Sequence, residues 1–276
     1  MLLTTAFCPP LAYFALLSRD MTLSPDRVSP SEVWLEACER YQKQSYRNRC
    51  YILAGDGVLM LQVPVVHSAR MGIREVQVDW STPWLVRMQR ALDAAYYTSA
   101  YYEYYRDDLF AVMDRRPMLL WDWNLSLLRF LAERAGVACT LRETTSFAVP
   151  EGAAGVAATA ESPGGDSRSE VSGGGPAGFS AKVSDGVPGG HPTVASDGAS
   201  MRTPEEVSAG AYLSGGDDYR YVIHPKRPDT VLRDLGLERP YYQVFSDRFG
   251  FTPGLSVLDL LFNEGPDAIL WLKRLG

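Results

Sequence analysis

The chain has 276 residues, 46% hydrophobic and 22% charged, with a formal net charge of -6. This is a globular balance, enough for a sizeable core in one large domain or two small ones. The acidic excess argues against nucleic acid as the main partner and against a polybasic membrane-surface protein, since both need a broad basic face.

Residues 1–17 are apolar, but they lack a basic start and Pro9-Pro10 interrupts them. No window reaches the roughly 18 apolar residues of a spanning helix. The segment reads as a buried strand over 2–8 and a helix to about Leu17, with Pro10 in its first turn. Residues 19–31, with Pro25 and Pro30, read as a loop, and 33–38 as a short strand.

Residues 40–51, R-Y-Q-K-Q-S-Y-R-N-R-C-Y, gather Lys43, Arg47, Arg49, Gln42, Gln44, Asn48, Tyr41 and Tyr46 with no internal acid. Guanidinium groups grip carboxylates or phosphates with paired hydrogen bonds, and amides read hydroxyls and carbonyls. The functional reading is an anion or sugar-phosphate site. The plainer one is a solvated loop whose arginines pair with surface acids.

Residues 50–53 and 58–66 read as strands joined by the hairpin signal Ala54-Gly55-Asp56-Gly57. The nearly continuous apolar run over 59–66 predicts a central strand. Val76, Val78 and Trp80 alternate with polar residues, as in a half-buried strand. Thr82-Pro83 predicts a helix start, followed by Trp84, Leu85, Met88, Leu92 and Tyr96 at helical spacing. A second helix is expected over 101–113. Asn124 is the expected cap of a third, which Gly136 ends. Residues 140–147 read as a strand.

Residues 150–210 are rich in Gly, Ser, Ala and Pro and carry one aromatic, Phe179. Such a stretch buries too little apolar surface to offset its ordering entropy, so it reads as a disordered low-complexity insertion. Order is expected to resume at 211. The division is 1–149 as the main α/β part, and 211–276 as the C-terminal part of the same domain. Near the end, Ser256 caps a helix over 257–263, with Asp259 in a capping-box position.

No G-x-S-x-G elbow, H-E-x-x-H helix, P-loop or G-x-G-x-x-G is present. His191 falls in the insertion, leaving His67 and His224 in folded regions, each more often structural than catalytic. The cysteines, Cys8, Cys38, Cys50 and Cys139, have no C-x-x-C spacing and fit reduced thiols in a cytoplasmic protein. Tyr96, Tyr97, Tyr101, Tyr102, Tyr104 and Tyr105 surround Glu103. They suit a helix interface better than a sugar-stacking platform, with Glu103 kept as a polar reader. Asp217 and Asp218 fit a turn as well as a cation site. Lys226 and Arg227, flanked by Pro225 and Pro228, form a second basic site. It joins the first, with Arg220, only if the fold brings them together.

Several stretches together resemble the WbqC-like protein family. They are T-A-F-C-P-P-L-A-Y-F-A-L-L, Y-Q-K-Q-S-Y-R-N-R-C, L-Q-V-P-V, W-L-V-R-M-Q-R-A-L-D-A-A-Y and Y-Y-E-Y-Y. The end, Y-Y-Q-V-F-S-D-R-F-G-F-T-P-G-L-S-V-L-D-L-L-F-N-E-G, resembles its Bacteroidetes branch. The resemblance covers most of the chain outside 19–31 and the insertion. It implies a place in O-antigen or surface-polysaccharide biosynthesis, with acyl or aminoacyl (glycine) transfer to an amino sugar or nucleotide sugar. It carries over Lys43, Gln44, Arg47, Asn48 and Arg49 as site candidates without catalytic roles.

The expected fold is α/β, with a mixed or mostly parallel sheet and a helical middle, a Rossmann-like sheet being one candidate. In such a sheet the Pro9-Pro10 turn and the basic cluster would sit at strand ends, where ligands bind. The leading function is a transferase of surface-glycan biosynthesis acting on a small-molecule substrate such as a nucleotide sugar. Its substrate-binding candidates are Lys43, Gln44, Arg47, Asn48, Arg49, Lys226 and Arg227. No catalytic residue stands out, and no metal or cofactor is expected. The alternatives are a non-catalytic binding or scaffold protein of a glycan assembly complex, and more weakly a nucleotide-dependent ligase.

Overall fold

The computed structural model describes residues 1–24, 27–68, 70–148 and 217–273. The predicted insertion over 150–210 lies outside the described residues.

A small parallel sheet runs through the centre. Strands β1 (Leu2–Leu3), β4 (Ser31–Leu35) and β9 (Cys139–Glu143) lie in the order β1-β4-β9, with Leu2 opposite Trp34 and Val33 opposite Leu141. The free edge of β1 takes main chain from far along the sequence. Leu2 N–H donates to the Asp217 carbonyl at 2.8 Å, and Tyr219 N–H donates to the Leu2 carbonyl at 2.9 Å. The α/β class and the helical middle hold. Three strands do not by themselves make a Rossmann-like sheet.

Helix α1 (Leu11–Arg19) follows the Pro9-Pro10 turn as expected, and Leu11 through Ser18 are all buried. A helix apolar on every side needs neighbours on every side. These are β4 and the C-terminal helices α5 (Val231–Asp234), α7 (Val257–Glu264) and α8 (Ala268–Lys273). The last carbonyls of such a helix have no partner within it. Lys273 Nζ reaches them, donating to Ser18 O at 2.9 Å and Arg19 O at 3.3 Å, and also to Met21 O at 2.6 Å.

Two strand expectations are corrected. The stretch read as a loop carries an antiparallel hairpin, β2 (Thr22–Ser24) with β3 (Arg27–Ser29). The run over 59–66 is not a central strand. Among the described residues, strand β6 (Gly57–Gln62) pairs only with β5 (Arg49–Ala54), while β7 (Val65–Val66) pairs with β8 (Gln77–Val78). Pro64 has no N–H to continue a ladder. Val58, Leu59 and Met60 are all exposed, so both faces of this part of the hairpin are open.

Among the helices of the middle, α2 (Trp84–Tyr96) and α3 (Tyr102–Met113) match the apolar spacing. Helix α4 (Leu120–Arg134) starts four residues before its expected cap, and Gly136, at φ 69°, ends it. Leu120 N–H donates to Val76 O at 2.9 Å, which anchors the earlier start. Asn124 is therefore inside the helix, buried, and not a cap. A short helix, α6 (Ser246–Phe249), precedes α7. Ser256 does cap α7, accepting from Leu258 N–H at 3.3 Å. Asp259 does not close a capping box. Its carboxylate is buried and accepts from Tyr96 OH at 2.8 Å, Tyr241 OH at 2.7 Å and Gln243 Nε2 at 2.9 Å. Tyr96 and Tyr102 pack edge-on against Phe262, so these tyrosines are core residues.

The C-terminal segment is tied to the carboxyl ends of β4 and β9 by a buried acid. Glu36 accepts from Thr144 Oγ1 at 2.7 Å, Ala148 N–H at 2.9 Å and Arg220 Nη1 at 2.8 Å. Arg220 also pairs with Asp218 at 2.7 Å. Buried charges persist only with partners this complete. The chain leaves this lock at residue 221 and enters the candidate site.

Candidate functional site

The basic loop over 40–51 divides into an inner and an outer half. Arg47 is 3% exposed, and its guanidinium is spent on Glu39, Nε donating to Oε1 at 2.8 Å and Nη2 to Oε2. Burial raises the Glu39 pKa, and the arginine opposes that rise. Asn48 is also buried and donates to Val63 O at 2.9 Å, while Asn124 Nδ2 donates to Arg47 O at 2.8 Å. These side chains brace the loop from below.

The outer half faces the other way. Gln44 has a φ of 57°, a conformation non-glycine residues adopt rarely and mostly in turns. That turn leaves Lys43 and Gln44 exposed. Gln44 Oε1 accepts from Lys226 Nζ, so the two basic stretches meet. Arg49 is half-buried, and its Nε has no partner among the described residues.

Beside this contact opens a cleft of about 250 Å³. Tyr46, Tyr51 and Val58 line one side, and Val222, Ile223, His224, Arg227 and Asp229 another. The Pro10 turn before α1 and residues 253–255 complete it. Tyr46 and Tyr51 meet edge to face at 6.1 Å, which fixes both rings. Arg227 Nη1 donates to Tyr221 O at 2.5 Å.

The charges in the cleft are of both signs. His224 Nδ1 accepts from Lys226 N–H at 3.1 Å, so the neutral ring carries its proton on Nε2. Its pKa is lowered, first by desolvation, then by the cations Arg227, Arg47, Lys226 and Arg49. Desolvation is the larger cause, and the added effect of the cations marks a positive potential that would suit a bound anion. Asp229 is exposed overall, and desolvation on its cleft side raises its pKa, which the N–H groups of Leu232 and Val231 partly offset. Its Oδ1 accepts those two N–H groups at 3.4 and 3.1 Å.

Of the sequence candidates, the cleft takes Arg227, with Lys226 and Gln44 joined at its edge. Arg49 acts on His224 from nearby, and Lys43 is exposed on the same turn. Arg47 and Asn48 are committed to buried structural contacts. Arg220 belongs to the Glu36 lock, Asp218 to Arg220, and Asp217 to Arg19 at 3.0 Å. His67 packs on Tyr41 with ring centres 5.2 Å apart, and Glu103 lies exposed on α3, away from the cleft lining. Tyr51 and Asp229 were not singled out by sequence, and His224 was discounted there. The signal available was slight: a histidine two residues before Lys226, in a proline-bounded segment.

A family model, the WbqC-like protein family, matches residues 6–163. No curated protein and no solved structure matches the chain. The matched range contains the basic loop and the tyrosine wall. The wall bearing His224, Arg227 and Asp229 lies beyond it. No helix among the described residues is long and apolar enough to cross a membrane.

Proposed function

The chain belongs to the WbqC-like protein family, and from that premise we propose that its cleft binds an amino sugar in phosphorylated or nucleotide-linked form for surface-polysaccharide biosynthesis. Family membership is consistent with a role related to polysaccharide biosynthesis. The observation that carries the finer reading is the convergence of Arg227 and neutral His224 with Tyr46, Tyr51 and Asp229 on one cleft. A cation and an N–H donor suit a phosphate, tyrosine faces suit a sugar or base, and an acid suits an amine.

The reaction proposed is acyl or aminoacyl transfer to that amine. The amine nitrogen forms a bond to the donor's acyl carbon. The bond from that carbon to the leaving group breaks, and the leaving group takes the electron pair. The proton shed by the amine passes to Asp229, whose raised pKa suits it to accept one. The developing oxyanion is left to solvent and the cations at the cleft edge, because the single His224 N–H is taken by the phosphate. The attacking nitrogen comes with the substrate, so the protein needs no nucleophile of its own.

The test is calorimetric binding of UDP- and dTDP-linked amino sugars, with thermal melting alongside, on wild type and Arg227→Ala. One nucleotide sugar is expected to bind and to lose about tenfold or more in the variant, the scale of one charge-assisted hydrogen bond. Absence of binding across the panel would sink the proposal. The scaffold reading finds support in Tyr97 and Tyr104, 70% and 71% exposed. It predicts protein partners that survive Arg227→Ala and vanish on Tyr104→Ser.

A further inference from the structure

A second cavity of about 270 Å³ shares Asp229 and Pro253 with the cleft. Its walls include Leu11, Leu232, Leu237, Phe251 and Trp271, and Glu238 is at its margin. The walls are held from behind. Phe251 and Trp271 each meet Tyr241 edge to face, at 5.3 and 5.4 Å, and Tyr241 is fixed through its hydroxyl to buried Asp259. Leu11 is fixed as the first residue of α1, its N–H donating to Leu255 O at 2.9 Å. Walls braced in this way keep a preformed apolar space.

Charge selects what enters. Both ionisable groups of the lining, Asp229 and Glu238, are acids, so a ligand bearing its own carboxylate is repelled.

We propose that this cavity holds the neutral acyl chain of an N-acyl amino sugar, or of the acyl donor that makes it. Chain and ionic part lie in adjoining spaces that meet at Asp229 and Pro253. The proposal rests on the reading of the cleft as an amino-sugar site, and it deepens that reading. It selects linear acyl groups over glycyl as the group transferred.

The probes are N-acylglucosamine 1-phosphates with acyl chains from two to ten carbons, and N-methyloctanamide, which has no sugar or phosphate. Binding is measured by calorimetry on wild type, Leu237→Trp and Arg227→Ala. In the wild type, affinity is expected to rise about fourfold per methylene until the cavity is full. Leu237→Trp fills the space and should abolish that rise while the acetyl probe still binds. Should Leu237→Trp melt early, Phe251→Ala serves instead: it enlarges the cavity and should move the preferred chain to greater length. Glu238→Lys, at an exposed position, should admit octanoate, which the wild type excludes.

Acetyl-probe binding that Arg227→Ala weakens, with no dependence on chain length, would overturn the acyl site and leave the amino-sugar reading standing. N-methyloctanamide binding blocked by Leu237→Trp, with no sugar phosphate bound, would support the acyl site and overturn the sugar. No binding by any probe would overturn both.

Discussion

Arg47 and Arg227 are the same residue type in similarly basic company, yet they do opposite work. Arg47 is sealed against Glu39 at the base of its loop, and Arg227 lines an open cleft, held through a backbone carbonyl. Burial and the nearest acid separate a brace from a side chain left facing a cleft. Density of positive charge along the chain does not.

The largest effect expected from this contrast is on folding. Arg47→Ala leaves Glu39 charged, buried and alone, a change that costs about 3–5 kcal/mol in comparable pairs. Urea unfolding with an unchanged midpoint would erase the distinction. Arg227→Ala is the counterpart: ligand affinity falls about tenfold or more, while stability stays within about 0.5 kcal/mol of wild type. A stability loss as large as that of Arg47→Ala would make Arg227 a brace as well.

Asn124→Ala tests the same base from the helix side. It removes the donor to Arg47 O from a buried site and should cost about 1–3 kcal/mol by denaturant titration. A neutral result would show that the loop holds without α4.

The smallest effect concerns pH. The folded pKa of His224 is lowered, so on acidification the unfolded chain takes up this proton first. Stability from this group should therefore decline as pH falls below about 6.5, the ordinary histidine value, until the folded pKa is passed. His224→Gln should flatten that part of the profile. Direct titration of the imidazole by NMR, with a midpoint at or above the ordinary value, would contradict the cationic surroundings described.

Much of this was legible in residue order. The strand, proline turn and helix at the start, the helical spacing of α2 and α3, the Gly136 stop and the Ser256 cap were local signals with local causes. The residue types of the proposed site, Lys226, Arg227 and Gln44, stand out in the sequence, but the meeting of Lys226 with Gln44 beside the cleft does not. The Arg47 pairing was hidden because Glu39 lies one position before the basic run, and burial has no signature at that spacing. Asn124 resembled a cap because its own chemistry suits one, but Leu120 had a backbone partner at Val76 and began the helix sooner. Strand β6 misled because an apolar run records what a segment is able to bury, and this hairpin leaves Val58, Leu59 and Met60 open on both faces. His224 and Asp229 gain meaning only from neighbours far away in the sequence.

The long-range ties around α1 bear on how the protein is made. Ser256 Oγ holds the Cys8 carbonyl across 248 positions, and Lys273 holds Ser18 across 255. A chain emerging from the ribosome releases its apolar first strand and helix long before those partners exist. Contacts of such high order close slowly, and exposed apolar segments are open to aggregation until they do. Translation therefore leaves α1 as a late-satisfied segment, a natural client for chaperones that shield nascent chains. The cleft, lined from Pro10 to Leu255, can form only after residue 255 has been made.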